Sequence, residues 1–160
     1  MADSCAWLPA LVLFSDHNGD WDTYREVIYG HFRTDFIDYI PRFTNKRCFV
    51  NRSPLVEGKE PTFWHIITEG DIEEDRTPDL RRCERIRWPR PLIEQVPCAH
   101  VNSWRVKRGK KWRINLAPAD FSYLVVLSEN SNSVFLITTF HVEREHRRRK
   151  LKAEWEKGRL

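Results

Sequence analysis

The chain has 160 residues, of which 41% are hydrophobic and 31% are charged, so its length and composition predict one globular domain and exclude general disorder. Its longest apolar stretch near the start, AWLPALVLF, falls well short of the roughly 18 residues of a spanning helix and lacks a basic start, which argues against a membrane span and a secretion signal. The four cysteines form no CxxC pair and are too few for a disulfide scaffold, so we expect a cytoplasmic protein without membrane contact.

The two halves of the chain carry opposite net charges. Residues 1–75 contain 7 Lys or Arg and 14 Asp or Glu, a net charge of −7, whereas residues 76–160 contain 20 and 9, a net charge of +11. Such asymmetry favours contact between the basic half and a polyanion such as a nucleic acid. A solvated surface with ion pairs between the halves is the alternative interpretation.

The acidic half opens with a predicted amphipathic helix. Apolar and aromatic residues recur every three or four positions over residues 21–40, Asp20 is a suitable N-cap, and Pro41 ends the segment. We expect the helix to be interrupted near Gly30 and its aromatic stripe to lie in the core. Residues 41–61 are punctuated by proline and glycine and predict loops, with RCFV as a short strand.

Two short elements follow around an acidic loop. The segment TFWHIIT (residues 62–68) is rich in β-branched and aromatic residues, which favours a strand over the alternative of a short helix. After the loop EGDIEED, Thr77 supplies an N-cap and Pro78 suits a first helical position. A second helix is therefore predicted over residues 78–87.

The basic half predicts a meander of four short strands. These are VNSWRV, KKWRINL, SYLVVLS and SVFLITTFHV, joined by the turn-like segments KRG, APAD and ENSN. A last helix is expected from Glu143 to about Glu156. Helices followed by antiparallel strands and a final helix imply an α+β fold.

Two features of the central region are candidates for chemistry. On a strand, His65 shares a face with Phe63 and Ile67, where an imidazole either exchanges protons in a dry site or is a hydrogen-bonded structural residue. The arginines of the predicted helix either bind phosphate through their forked guanidinium groups or form a solvated face. They are Arg81, Arg82 and Arg85.

The last two strand regions supply further candidates. Strand alternation favours Thr139 and His141 over Thr138 as exposed site residues, with a solvated strand end as the alternative. In the hairpin, basic residues suit a phosphate backbone and tryptophans suit base stacking, unless both tryptophans lie in the core. The nucleic-acid-binding residues predicted there are Trp104, Arg105, Lys107, Arg108, Lys110, Lys111 and Trp112, together with Arg81 on the arginine helix.

Four segments together resemble small phage- and prophage-borne proteins of the barnase–EndoU–colicin–RelE-like nuclease fold. They are TFWHIITEG, RTPDLRRCERIRW, VVLSE and LITTFHVEREHRRRKL, and the similarity spans about residues 55–152. The resemblance implies an α+β domain over residues 55–160 in which flanking helices pack on an antiparallel four-stranded sheet. Residues 1–54 are expected to form an acidic helical segment packed on this core.

The resemblance also implies roles for particular side chains. His65 would be an acid/base residue, Arg82 and Arg85 would contact phosphate, and Thr139 would position it. Strand parity makes His141 the candidate for the second acid/base residue. The implied reaction is in-line attack of an RNA 2′-hydroxyl on the adjacent phosphorus, with no cofactor and no metal ion.

The leading hypothesis is therefore a metal-independent ribonuclease that acts as a toxin or host-interference protein. Its expected partners are RNA, such as tRNA or mRNA, and a protein inhibitor. One alternative is a non-catalytic nucleic-acid-binding module that uses the same basic hairpin. The other is a protein–protein adaptor whose acidic helix at residues 21–40 binds a basic partner.

Overall fold

The structure is a computed structural model that describes residues 7–160, which leaves Cys5 outside it. Within these residues helix α1 continues into a π-helix, Arg33–Asp38, instead of breaking at Gly30. None of the described helices is both long and apolar enough to cross a membrane. The α-helices are α1 Trp21–Phe32, α2 Pro61–Ile67, α3 Leu80–Glu84, α4 Pro89–Glu94 and α5 Glu145–Gly158.

The strands of the described chain form one large sheet and one small one. The strands are β1 Arg42–Phe43, β2 Lys46–Phe49, β3 Thr68–Glu69, β4 Thr77–Pro78, β5 Val101–Arg108, β6 Lys111–Pro118, β7 Tyr123–Glu129 and β8 Ser133–His141. The large sheet has the order β1-β2-β8-β7-β6-β5, and β3 pairs with β4 separately. All neighbours in the large sheet are antiparallel except β2, which runs parallel to β8.

Each face of the large sheet carries its own hydrophobic cluster. Helices α1 to α4 contribute to the main core on one face, which includes Tyr24, Ile28, Phe32, Phe63, Ile66, Leu92, Leu116 and Leu136. On the other face, Leu151 and Trp155 of α5 pack with Trp104 and Phe121. Strand alternation separates the clusters, because successive side chains of a strand point to opposite faces.

The α+β class is confirmed, but the prediction of an antiparallel four-stranded sheet is wrong. The four predicted strands form the meander β5–β8, and two further strands extend it at the β8 edge. RCFV forms most of β2, and Arg47 to Phe49 pair with Ser133 to Phe135. The result is a six-stranded mixed sheet that curls into a half-barrel.

Residues 61–67 form a helix, so the strand predicted there is also wrong. Pro61 occupies the first turn of α2, and Phe63, Ile66 and Ile67 are buried on one side of it. These three positions fit helical spacing as well as their residue types fit a strand. The Thr68 hydroxyl donates to the Trp64 carbonyl at 2.6 Å where the helix ends.

The arginine helix is shorter and begins later than predicted. Thr77 and Pro78 belong to β4, while the side chain of Asp79 accepts hydrogen bonds from the amides of Arg81 and Arg82. The N-cap is therefore Asp79, and the helix covers residues 80–84 instead of 78–87.

A bulge in β8 changes which side chains face which core. Leu136 pairs with Leu127, but Thr138 pairs with Val126, so Ile137 is an extra residue. The bulge turns Thr139 into the main core, where it is only 1% exposed. The prediction of Thr139 as an exposed residue is therefore wrong, and Thr138 faces α5 instead.

Candidate nucleic-acid interface

A basic groove lies between helix α5 and the face of strands β5 to β8. It encloses about 470 Å³. Arg108 and Arg113 line it from hairpin β5–β6, whereas Arg147 and Lys150 line it from the helix. Glu154 is the single carboxylate among its described lining residues. We call this feature the α5 groove.

Helical spacing brings the α5 residues into the groove. Arg147, Lys150 and Glu154 lie three or four positions apart and therefore share one side of the helix. Leu151, on the same side, is buried in the cluster beneath α5 and fixes the rotation of the helix. Arg148 donates from Nε to the Val142 carbonyl at 2.8 Å, which holds the first turn.

The floor of the groove is apolar with two polar residues. Leu124, Val126 and Phe140 supply the apolar surface, and Asn115 and Thr138 supply an amide and a hydroxyl. Both polar residues are buried, Asn115 with 3% of its surface exposed. A floor of this kind contacts a ligand through apolar surface and a few directed hydrogen bonds.

The predicted hairpin residues divide between groove, turn and opposite face. Arg108 lines the groove and stands directly across the hairpin from Lys111, and Lys110 is exposed in the turn. On the opposite face, the Lys107 Nζ lies 5.8 Å from the centroid of the Trp112 ring. Trp112 is 49% exposed, so its ring is open to stacking.

Two of the predicted hairpin residues are engaged in contacts within the protein. Trp104 is fully buried beneath α5 and presents no ring face to a base. The Arg105 guanidinium donates from Nε and Nη2 to the Glu129 carboxylate, both at 2.8 Å. Glu129 also pairs with Lys46 at 3.2 Å, so the carboxylate offsets only part of the charge of the two cations.

The predicted phosphate-binding arginines are likewise engaged within the protein. Arg82 is buried, donates to the Thr68 carbonyl at 2.6 Å and lies over the Phe140 ring. Arg81 pairs with Glu84 at 2.9 Å. Arg85 donates to the Arg81 carbonyl and lies over the Trp88 ring. None of the three directs a free guanidinium group into the α5 groove.

Four of the predicted catalytic residues meet around a buried tyrosine. Burial raises the pKa of Tyr123, whose side chain interacts with Thr139, Arg85 and Arg82. His141 pairs with Tyr123 across the strands, and burial and then the charge of Arg85 lower its pKa. Thr139 donates its hydroxyl to the Ile66 carbonyl at 3.1 Å. The centre of this cluster is closed, since Tyr123 is 1% exposed.

His65 lies apart from the α5 groove, on the side of the sheet covered by α2. Its side chain is 34% exposed, and Nδ1 is 4.0 Å from the Glu73 carboxylate. It lines a hollow of about 250 Å³ with Asn51, Thr62 and Glu73. Burial and then the charge of Arg76 lower the pKa of His65.

Sequence reasoning did not select three of the four groove cations. Arg113 lies in the predicted hairpin but is not one of its predicted binding residues, and Arg147 and Lys150 belong to a basic run that also fits a solvated helix. Helical spacing distinguishes Arg147 and Lys150 from the neighbouring basic residues of α5. Leu151 marks the buried side of the helix, and the two cations flank that side.

No protein-family model matches the chain, and no curated protein or solved structure shows significant similarity to it. Among residues 7–160, no group of three or more His, Cys, Asp or Glu side chains is arranged to hold a metal ion. The geometry of the α5 groove therefore carries the functional argument.

Proposed function

We propose that the protein binds single-stranded RNA in the α5 groove. The observation that carries the proposal is the presence of cationic side chains on both sides of an apolar floor that holds two buried polar residues. Cations bind phosphates, and an apolar floor with hydrogen-bonding groups suits the bases. The groove supplies both within one cavity.

A single strand suits the groove better than a duplex does. Paired bases are stacked inside a duplex and enter a pocket only after extrusion, which costs free energy. Unpaired RNA already presents splayed bases, and it is the usual target of specific RNA recognition. Lys110 and Lys111 at the hairpin turn extend the cationic surface beyond Arg108 and continue a path for the phosphates.

Fluorescence anisotropy with a labelled single-stranded RNA tests this proposal. The variant Arg147→Ala/Lys150→Ala removes two cations that line the groove. Its control is Arg149→Ala/Lys152→Ala, which removes the same charge from exposed positions of the same helix outside the groove. We expect the groove variant to bind about tenfold more weakly and its log–log salt slope to fall by about 1.4, since each phosphate contact contributes about 0.7 for single strands.

The control variant should keep its affinity within about twofold of the unmodified protein, because its cations lie away from the bound strand. Equal weakening of the two variants would show that net charge alone attracts RNA, and it would overturn the groove as the binding site. Circular dichroism of both variants confirms that the helix is retained.

Ribonuclease activity is the second candidate function, and His65 is the observation in its favour. A histidine with a lowered pKa is neutral at physiological pH and is able to accept a proton from a 2′-hydroxyl. Its half-open hollow gives access to solvent, and Glu73 is close enough to interact with the imidazole. The α5 groove and this hollow are separate places on the protein.

Incubation with RNA, with and without chelator, tests the second function. A ribonuclease of the expected kind yields cyclic-phosphate products in both conditions, and His65→Ala reduces their rate by at least about a hundredfold. His146→Ala, at an exposed histidine of α5, is the control and should leave the rate unchanged. Absence of products from the unmodified protein would remove this function.

A further inference from the structure

The α5 groove contains a buried hydrogen-bond acceptor without a partner. Oε2 of Glu154 is buried and receives no hydrogen bond from any described residue, although Glu154 lines the groove. An unsatisfied buried acceptor costs free energy comparable to that of a lost hydrogen bond. A ligand recovers that free energy if the Glu154 side chain rotates to present Oε2 to the groove and the ligand donates a hydrogen bond to it.

Beneath the acceptor, the sheet carries a row of cross-strand neighbours that we call the polar row after its members Asn115 and Thr138. Trp104, Asn115, Val126 and Thr138 are consecutive cross-strand partners on β5, β6, β7 and β8. Directly opposed residues in an antiparallel sheet point to the same face, so the amide of Asn115 and the hydroxyl of Thr138 flank Val126 on the groove side. Leu151 and Glu154 of α5 close this row from above.

A carboxylate acceptor is able to distinguish between nucleobases by their exocyclic groups. Cytosine carries an amino group at position 4, which donates to a carboxylate. Uracil carries a carbonyl oxygen at the same position, and this oxygen would face Glu154 with no proton between them. Cytosine and uracil are the same size, and their nucleotides carry the same backbone charge. The interaction with the Glu154 carboxylate is therefore what differs between them.

We infer that the polar row and Glu154 form a base pocket that selects nucleobases with an exocyclic amino group over uracil. The inference rests on the proposed RNA binding and adds the class of base that is recognised. Phosphates are bound by Arg108, Arg113, Arg147 and Lys150, while Glu154 accepts a hydrogen bond from the amino group. Asn115 and Thr138 contact the remaining polar atoms of the base edge.

Binding of short oligocytidine and oligouridine of equal length tests the inference. We expect the unmodified protein to bind oligocytidine about tenfold more tightly, in the range of one good base contact. Glu154→Gln keeps the shape of the side chain but lets its amide donate to the uracil carbonyl, so the preference should fall below about twofold. Glu156→Gln makes the same change at an exposed position of α5 and should keep the preference.

The possible results distinguish base selection by the pocket from RNA binding by the α5 groove. Equal affinity for the two oligonucleotides in the unmodified protein, or an unchanged preference in Glu154→Gln, overturns the base pocket and leaves RNA binding by the groove in place. Failure of the unmodified protein to bind either oligonucleotide overturns both. The affinity ratio is the quantity to compare, because loss of the Glu154 charge also strengthens the attraction for phosphate in general.

Discussion

Arg82 illustrates how a residue that suits phosphate binding is used to hold the fold together. Its guanidinium group donates to the Thr68 carbonyl, lies 3.4 Å from the Asp79 carboxylate and covers the Phe140 ring. It thereby joins β3, the start of α3 and the end of β8. Residue type indicated a site here, but only the surroundings of the side chain decide how it is used.

We expect Arg82→Ala to destabilise the protein by about 2–4 kcal/mol, because it removes a buried hydrogen bond to the Thr68 carbonyl, the cation beside the Asp79 carboxylate and the packing over the Phe140 ring. Urea unfolding measures the change. Arg81→Ala removes an arginine whose side chain is 64% exposed and should cost less than about 1 kcal/mol. Equal costs at the two positions would contradict a structural role for Arg82.

The carboxyl group of Asp35 makes the stability of the fold depend on pH. Burial raises the pKa of its carboxyl group to about 6. Above pH 6 the folded protein holds an ionised, partly buried carboxylate, which lowers the free energy of unfolding. This penalty shrinks as the pH falls through 6 and is absent below the pKa of the unfolded chain.

Asp35→Asn should therefore stabilise the protein at pH 8 by on the order of 1 kcal/mol, after allowance for partial exposure, and by clearly less at pH 5. Thermal unfolding at the two pH values measures the difference. The comparison variant is Asp38→Asn, on the same π-helix with a more exposed side chain. A gain for Asp35→Asn that is equal at both pH values would contradict this account.

Thr139 shows the limit of residue-level prediction from the sequence. Alternation along SVFLITTFHV assigns its face only if the strand is regular, and one extra residue reverses the assignment for all later positions. The bulge is fixed by pairing with β7 and packing against α2. Neither the pairing nor the packing is evident from the sequence of the strand alone.

At the scale of elements, α5 and β5 meet so closely that one residue has no room for a side chain. A Cβ atom on Gly158 would lie 2.8 Å from the carbonyl oxygen of Arg105. The amide of Leu160 donates to the Ser103 carbonyl just beyond this point. The end of the helix is thus anchored on the edge strand, beyond the α5 groove.

Gly158→Ala should push the end of α5 away from β5 and destabilise the protein by about 1–3 kcal/mol. Denaturant unfolding measures the cost, and Ala153→Gly, at an exposed position of the same helix, gives the cost of a helix-propensity change alone, about 1 kcal/mol. We also expect weaker RNA binding by Gly158→Ala. An unaffected stability would show that the contact relaxes freely.

Elements with local signals were predicted well from the sequence, and elements that depend on distant contacts were not. Asp20 caps α1 as expected, and the four strands of the meander appear with their turns. Helix α2 was predicted as a strand, because residues 62–68 carry strand-forming side chains at positions that also suit a helix. Packing against β8 and the main core decides between them.

At the scale of the whole molecule, the sites of the two candidate functions lie on opposite faces of one sheet. The hollow at His65 adjoins α2, whereas the α5 groove is closed by α5. His65→Ala should therefore leave RNA affinity within about twofold of the unmodified protein, as measured by anisotropy. A loss of affinity comparable to that of Arg147→Ala/Lys150→Ala would mean that a bound strand reaches both faces.

The charge asymmetry between the halves of the chain was visible in the sequence, but its arrangement in space was not. Both halves share the main core, and β2 from the acidic half joins the sheet beside β8. Only the fold shows which basic residues pair with carboxylates, as Arg105 does with Glu129, and which of them face the groove.

The parallel pairing of β2 with β8 has a consequence for the order in which the protein assembles. Arg47 pairs with Ser133, so β2 is unable to join the sheet during synthesis on the ribosome until residue 133 has emerged. The hairpins between residues 101 and 141 join neighbours along the chain and close soon after they emerge, since short loops close faster than long ones. We therefore expect β2, and with it the acidic segment, to join the sheet only after strands β7 and β8 have paired.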